Sequence, residues 1–163
     1  MDELRAAGEH YRAALEVPGV NREVVIAGLE DLQAYPIVEE VIIPILERAY
    51  RTSDQPEALL ALLKRKVDLS SGPEEQLPIY DEIAFLAQHA ADDLNTAFEA
   101  QQSRFRLEPA NRPTWNELEQ LAQQLGAWDI LARLWRDALS GGGVSEPRPF
   151  RPLDKRGDRN ALR

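Results

Sequence analysis

Helix-breaking residues recur along this chain at intervals of about one helix and a turn, and that spacing limits the fold more than any other feature. Pro18-Gly19, Pro36, Ser53-Asp54, Ser71-Gly72-Pro73, Asp92-Asp93, Pro109 and Gly126 punctuate the chain between Met1 and Leu139. Between them apolar residues recur every three or four positions, the period of one helical face. Leu4, Ala7, Tyr11, Ala14 and Leu15 make the first stripe; Val25, Leu29 and Leu32 the second, behind an Asn21 cap. The third runs from Val38 to Arg51 through Ile42, Ile43, Leu46 and Tyr50, with Pro44 expected to kink or split it. The fourth, capped by Ser53 or Asp54 with Pro56 in its first turn, carries Leu59, Leu60, Leu63 and Val67.

A fifth helix, Pro73 to Ala90, places Leu77, Tyr80, Ile83, Ala84 and Ala87 on one face, with Pro78 in its early turns. A sixth, Asp93 to Leu107, begins at an Asp cap; a seventh starts near Pro113 or Thr114 and ends at Gly126; an eighth runs from Trp128 to Leu139. Nowhere do β-branched residues alternate, and no hairpin signal appears, so the expected class is all-α. Helices of this length on short links pack as antiparallel neighbours.

Composition narrows the chemistry. With 163 residues, 44% of them hydrophobic, the chain is long enough to bury a single core without staples, and none is available because Cys is absent. Thiol catalysis and Cys-ligated metal are thereby excluded. The longest apolar stretch, around Val41 to Leu46, is far shorter than the roughly 20 residues that cross a bilayer. The N-terminus lacks the apolar core of a secretory signal, so a cytoplasmic chain with no membrane partner is expected. Formal net charge is −9, which repels phosphate backbones and argues against a nucleic-acid partner. Residues 140–163 hold six basic and three acidic residues behind Gly141 to Gly143, so a body of charge −12 (1–139) precedes a flexible, basic, Pro-rich tail (140–163).

Self-similarity separates a solenoid from a closed bundle. LEVPGVNREVVIAGLEDL, starting at Leu15, and LEPANRPTWNELEQL, starting at Leu107, share a Leu-Glu, a Pro, an Asn-Arg and a Leu-Glu-x-Leu. Between Thr114 and Leu139, Trp115 and Leu118 open one helix, Gly126 ends it, and Trp135, Ala138 and Leu139 follow on the next. This pattern resembles the tetratricopeptide repeat, a short helix–turn–helix unit, in the degenerate form found in long bacterial arrays. Leu46 and Tyr50 with Leu59, Leu63 and Val67 resemble a second unit, in which Lys66 replaces the usual Ala. Tyr80 to Ala87 with Ala97, Phe98 and Phe105 resemble a third, with Gln101 and Arg104 at the usual aromatic and Ala positions. The first helix looks like the second half of a unit that has lost its partner. The resemblance implies a right-handed superhelix of about eight antiparallel helices.

Catalytic signals are missing from the residues. His10 and His89 lie on different helices without metal-ligand spacing, and the adjacent acids Glu39-Glu40, Glu74-Glu75 and Asp92-Asp93 diverge by about 100° on a helix. The triple glycine lacks the Lys-Ser/Thr of a phosphate loop, and the turn serines lack a base. The expectation is therefore a non-catalytic protein–protein interaction scaffold that needs no cofactor and no metal. Its binding face would use Glu39, Glu40, Glu47, Asp81, Glu82, Glu117 and Trp128, and would take a basic or extended peptide segment, with Arg148 and Arg151 of the tail able to dock on it. The family's grip on a C-terminal carboxylate is not implied, because the corresponding positions hold Asp81, Phe85, Asn116 and Gln120. The alternative is a structural subunit or array segment, a homo-oligomer assembled by stacking of its repeat ends.

Overall fold

The computed structural model describes residues 2–35 and 38–140. Among these the chain forms eight α-helices and no strand: α1 (Asp2–Leu15), α2 (Arg22–Gln33), α3 (Glu39–Thr52), α4 (Pro56–Leu69), α5 (Pro73–His89), α6 (Leu94–Leu107), α7 (Arg112–Leu125) and α8 (Trp128–Ser140). The all-α expectation is met. Arg148 and Arg151, with the rest of the expected tail from 141, lie outside the described residues.

Local chemistry accounts for most boundaries. Asn21 and Asn111 cap α2 and α7 in nearly the same backbone conformation (φ −74°, ψ 97° and φ −73°, ψ 104°), each accepting a hydrogen bond from the amide three residues on. The two similar segments thus share a turn, but on an even and an odd helix, so they do not mark the same place in a two-helix unit. Asp93 caps α6 by accepting from the Thr96 amide at 3.0 Å. That bond, a further one from the Thr96 side chain and the charge of Lys64 hold the Asp93 carboxyl below its ordinary range. Pro56 and Pro73 occupy the first turns of α4 and α5, where a missing N–H costs nothing.

Two expectations are corrected. Pro44 does not split α3: it sits on the exposed side of one continuous helix, as Pro78 does in α5, so the ring and the carbonyl it displaces face water. Asp54 does not cap α4; its φ is +52°, and the residue before the helix, Gln55, makes no side-chain cap. Asp54 belongs instead to a recurring turn. Every link from an odd to an even helix contains one left-handed residue, Gly19 (φ +81°), Asp54 (φ +52°), Asp92 (φ +50°) and Gly126 (φ +68°), at nearly even intervals along the chain. Glycine takes this conformation freely, and an L side chain in it costs on the order of 1 kcal/mol. Asp92→Gly is therefore expected to stabilise the protein by about 0.5–1 kcal/mol, and Asp92→Val to destabilise it, in paired denaturant titrations.

The core joins the helices in sequence order. Leu29, Ile42, Leu46, Leu63, Phe105, Leu118, Leu121 and Leu131 are almost fully enclosed, and burial of each such side chain contributes roughly 1.5–3 kcal/mol. Each helix packs on its neighbours in the chain, and α1 packs on both α2 and α3. Two glycines allow its close approach: a Cβ at Gly28 would meet the Tyr11 ring at 2.5 Å, and one at Gly8 would meet Ile42 Cδ1 at 2.8 Å. No helix among the described residues is long and apolar enough to cross a membrane.

Candidate functional site

The acids expected on an open binding face lie mostly on α3 and α5, and the fold pairs most of them internally. Glu39, first residue of α3, is 5% exposed. Arg65 of α4 reaches it with both arms of its guanidinium, Nε donating to Oε1 at 2.9 Å and Nη2 to Oε2 at 3.1 Å. A buried carboxylate at a helix N-terminus needs such a partner, and the positive end of the helix adds to it. Glu39 is therefore not part of a surface available to a partner, which corrects its place in the expected site.

Glu47 accepts from Arg51 at 2.8 Å and from Lys66 of α4 at 2.8 Å, and Arg51 also pairs with Glu82 of α5. Burial alone would raise the Glu47 carboxyl, but the hydrogen bonds and charges of Arg51 and Lys66 outweigh it and hold the group below its ordinary value of 4.5. One residue along α5 from Glu82, Asp81 pairs with Arg104 of α6 at 2.6 Å, and Arg104 donates onward to the Thr114 hydroxyl of α7. Two polar networks thus meet α5 at adjacent residues, one joining α4, α3 and α5 and the other α5, α6 and α7, and together they form a polar seam. Glu47, Asp81 and Glu82 serve in it as structural partners of arginine and lysine.

The seam repeats. Glu40, Pro44, Ile45 and the acid at Glu47 on α3 recur, in the same order and at the same spacing, as Glu74, Pro78, Ile79 and Asp81 on α5. Their cationic partners, Lys66 and Arg104, sit at matching places near the ends of α4 and α6. The basic residues that the resemblance marks as departures from Ala are the ones that close these bridges. Sequence reasoning compared them with a family pattern rather than with each other, and so missed the acid facing them.

Exposed groups remain on the same side. Glu40 and Glu74 are exposed, Glu117 of α7 is half-buried, and none of the three forms an ion pair among the described residues. Pro44, Pro78 and Phe85 add apolar surface; the Phe85 ring is 61% exposed and stacks on His89 at 4.5 Å between centroids. Trp128 is half-buried at the α7–α8 turn and packs against the core rather than standing in a groove. His10 is exposed on α1, far in the chain from His89, whose Nδ1 lies 2.9 Å from the Phe85 carbonyl.

No family model, curated protein or solved structure matches this chain. The functional reading therefore rests on the geometry itself. The Glu47 bridges give a pH signature: a carboxyl depressed in the folded state stabilises the fold above its unfolded value near 4.5 and loses that contribution as pH falls through the folded value. Glu47→Gln should cost about 1 kcal/mol at pH 7 and progressively less as pH falls below 4.5, as read from thermal melts across a pH series.

Proposed function

We propose that this chain is a non-catalytic interaction scaffold built as a tetratricopeptide-like array, and that its odd-numbered helices present the binding face. One observation carries the reading: helices two apart in the chain touch through residues about one repeat apart. Glu16, just beyond α1, pairs with Arg48 of α3 at 2.8 Å, Arg51 of α3 with Glu82 of α5, and Lys64 of α4 donates to Thr96 of α6 at 3.2 Å. In an up-down bundle helices two apart lie diagonally across the core, whereas in a stack of helix pairs they are lateral neighbours. Even helices start at Arg22, Pro56, Leu94 and Trp128, at nearly even intervals of one helix pair, which supports the same reading.

The partner this face fits is an extended segment with basic residues. Glu40 and Glu74 occupy equivalent positions on α3 and α5, and Pro44, Pro78 and Phe85 are exposed on the same two helices, so the face offers both charge and apolar contact. Internal pairing of Glu39, Glu47, Asp81 and Glu82 makes the face weaker than a fully open acidic one, and association there is sensitive to salt.

The test is fluorescence anisotropy with a labelled Arg-Pro-Phe-Arg-Pro peptide on the full chain. Saturable binding that weakens about tenfold in the Glu40→Lys/Glu74→Lys double variant, and again with added salt, supports the proposal. Absence of saturable binding, or equal binding to the variant, overturns it. A second reading, assembly by end stacking, draws on Ile130 and Leu139, which stand 42% and 40% exposed on α8. Light scattering across a concentration series distinguishes it, since stacking gives oligomers that the peptide does not dissolve.

A further inference from the structure

A cavity of about 160 Å³ lies where the end of α1, the start of α2 and the middle of α3 meet, bordered by Pro44 of the acidic stripe. Its apolar wall includes Leu15, Ile45 and Ala49, and Arg12, Arg22 and Arg48 stand around it. In a body of charge −12 three guanidinium groups around one opening run against the overall charge. Their pairing is incomplete. Arg12 has Glu9 at 2.6 Å and Arg48 has Glu16, itself at the cavity, at 2.8 Å. Arg22 makes no ion pair among the described residues.

The position of Arg22 sharpens the asymmetry. It is the first residue of α2, so its positive charge stands at the positive end of that helix, where a second cation is unfavourable and an anion is welcome. The cavity gives that anion a body. An apolar cavity of about 150 Å³ admits a benzene molecule, and this one is of that size, with hydrocarbon, guanidinium groups and the Arg48-paired Glu16 carboxylate in its lining. A guanidinium fork matches the two oxygens of a carboxylate better than it matches a single-point acceptor.

We propose that this cavity is a binding site for a small carboxylate whose apolar body is about the size of a benzene ring, with Arg22 holding the carboxylate and Ile45 and Ala49 covering the ring. Both parts of the ligand are needed. A bare carboxylate competes poorly with water for an exposed arginine, and an apolar body with an ammonium head is opposed by Arg22, whose charge no carboxylate among the described residues pairs. A ligand of this size binds in the millimolar range or somewhat tighter.

The experiment is a titration of the uniformly labelled full chain with phenylacetate, followed by amide chemical shifts, with acetate and phenethylamine as controls. Saturable shifts at the amides of Arg22, Ile45 and Ala49, about tenfold weaker binding of acetate, and no saturable response to phenethylamine are expected. Arg22→Gln, at an exposed position without a partner, keeps the melting temperature and weakens phenylacetate about tenfold. Failure to saturate at those amides, an equal response to the amine, or unchanged affinity in the folded Arg22→Gln protein overturns the assignment.

Discussion

Trp115→Ala should lower stability by about 3–5 kcal/mol, the largest effect of any single truncation in the second half of the chain. Trp115 is 5% exposed, and its ring is shared by three helices. It meets Phe105 of α6 edge-on at 6.0 Å and Trp135 of α8 at 6.1 Å, and Arg112 lies over its face at 4.9 Å. The indole N–H donates to the Pro109 carbonyl at 2.6 Å, fixing the α6–α7 turn. Truncation removes ring and donor together and leaves a cavity that the flanking aromatics cannot collapse to fill. Trp115→Phe separates the two contributions: it keeps most of the packing, loses the hydrogen bond, and should cost roughly 1–2 kcal/mol. In a molecule whose helices pack in sequence order, the loss should also be local. Hydrogen exchange in Trp115→Ala should accelerate in α7 and α8 well before α1 and α2. Uniform acceleration in all eight helices would mean that the chain unfolds as one cooperative unit, against the array reading.

The helices were legible in the sequence because their causes are local. Apolar period, Asn and Asp caps and first-turn prolines all act within one turn of helix, and the structure places the boundaries at Asn21 and Asp93 accordingly, whereas α7 starts at Arg112 behind an Asn111 cap, just ahead of the expected Pro113 or Thr114. The failures also have a common origin. Asp54 reads as a cap by type, but a cap needs extended backbone, and the turn that joins α3 to α4 holds this residue left-handed instead. Pro44 reads as a break, but the cost of a proline depends on which side of the helix it faces, and the exposed side tolerates it.

The acidic face was half legible for a similar reason. Composition reveals how many acids lie on α3 and α5, but only the tertiary structure reveals which cation faces each one. Lys66 and Arg104 are separated from Glu47 and Asp81 by a turn and most of a helix, so no local pattern joins them. A search for register between α3 and α5, rather than for agreement with a family pattern, would have found Glu40 and Glu74, Pro44 and Pro78, and the acids at Glu47 and Asp81. From that register the matching cations on α4 and α6 follow.

Gly28→Ala provides the second large effect, and its sign depends on a residue on another helix. In the middle of an exposed helix, replacing glycine by alanine gains about 1 kcal/mol from backbone propensity. At position 28 the added Cβ would lie 2.5 Å from Cζ and 2.6 Å from the hydroxyl oxygen of Tyr11, both on a rigid ring packed against α2. The ring must swing away, so Gly28→Ala should destabilise the protein by about 1–3 kcal/mol despite the propensity gain. In a Tyr11→Ala background the obstruction is gone, and the same change should stabilise by about 1 kcal/mol. The resulting coupling, of about 2–3 kcal/mol, reads the α1–α2 contact directly from a double-mutant cycle in denaturant. Gly8 offers an internal comparison: a Cβ there would meet Ile42 Cδ1 at 2.8 Å, and Ile42 is almost fully enclosed in the core, so Gly8→Ala should be destabilising as well. Additive effects of Gly28→Ala and Tyr11→Ala would place the ring elsewhere, and with it the helix that carries Arg12 and Leu15 to the edge of the arginine-lined cavity.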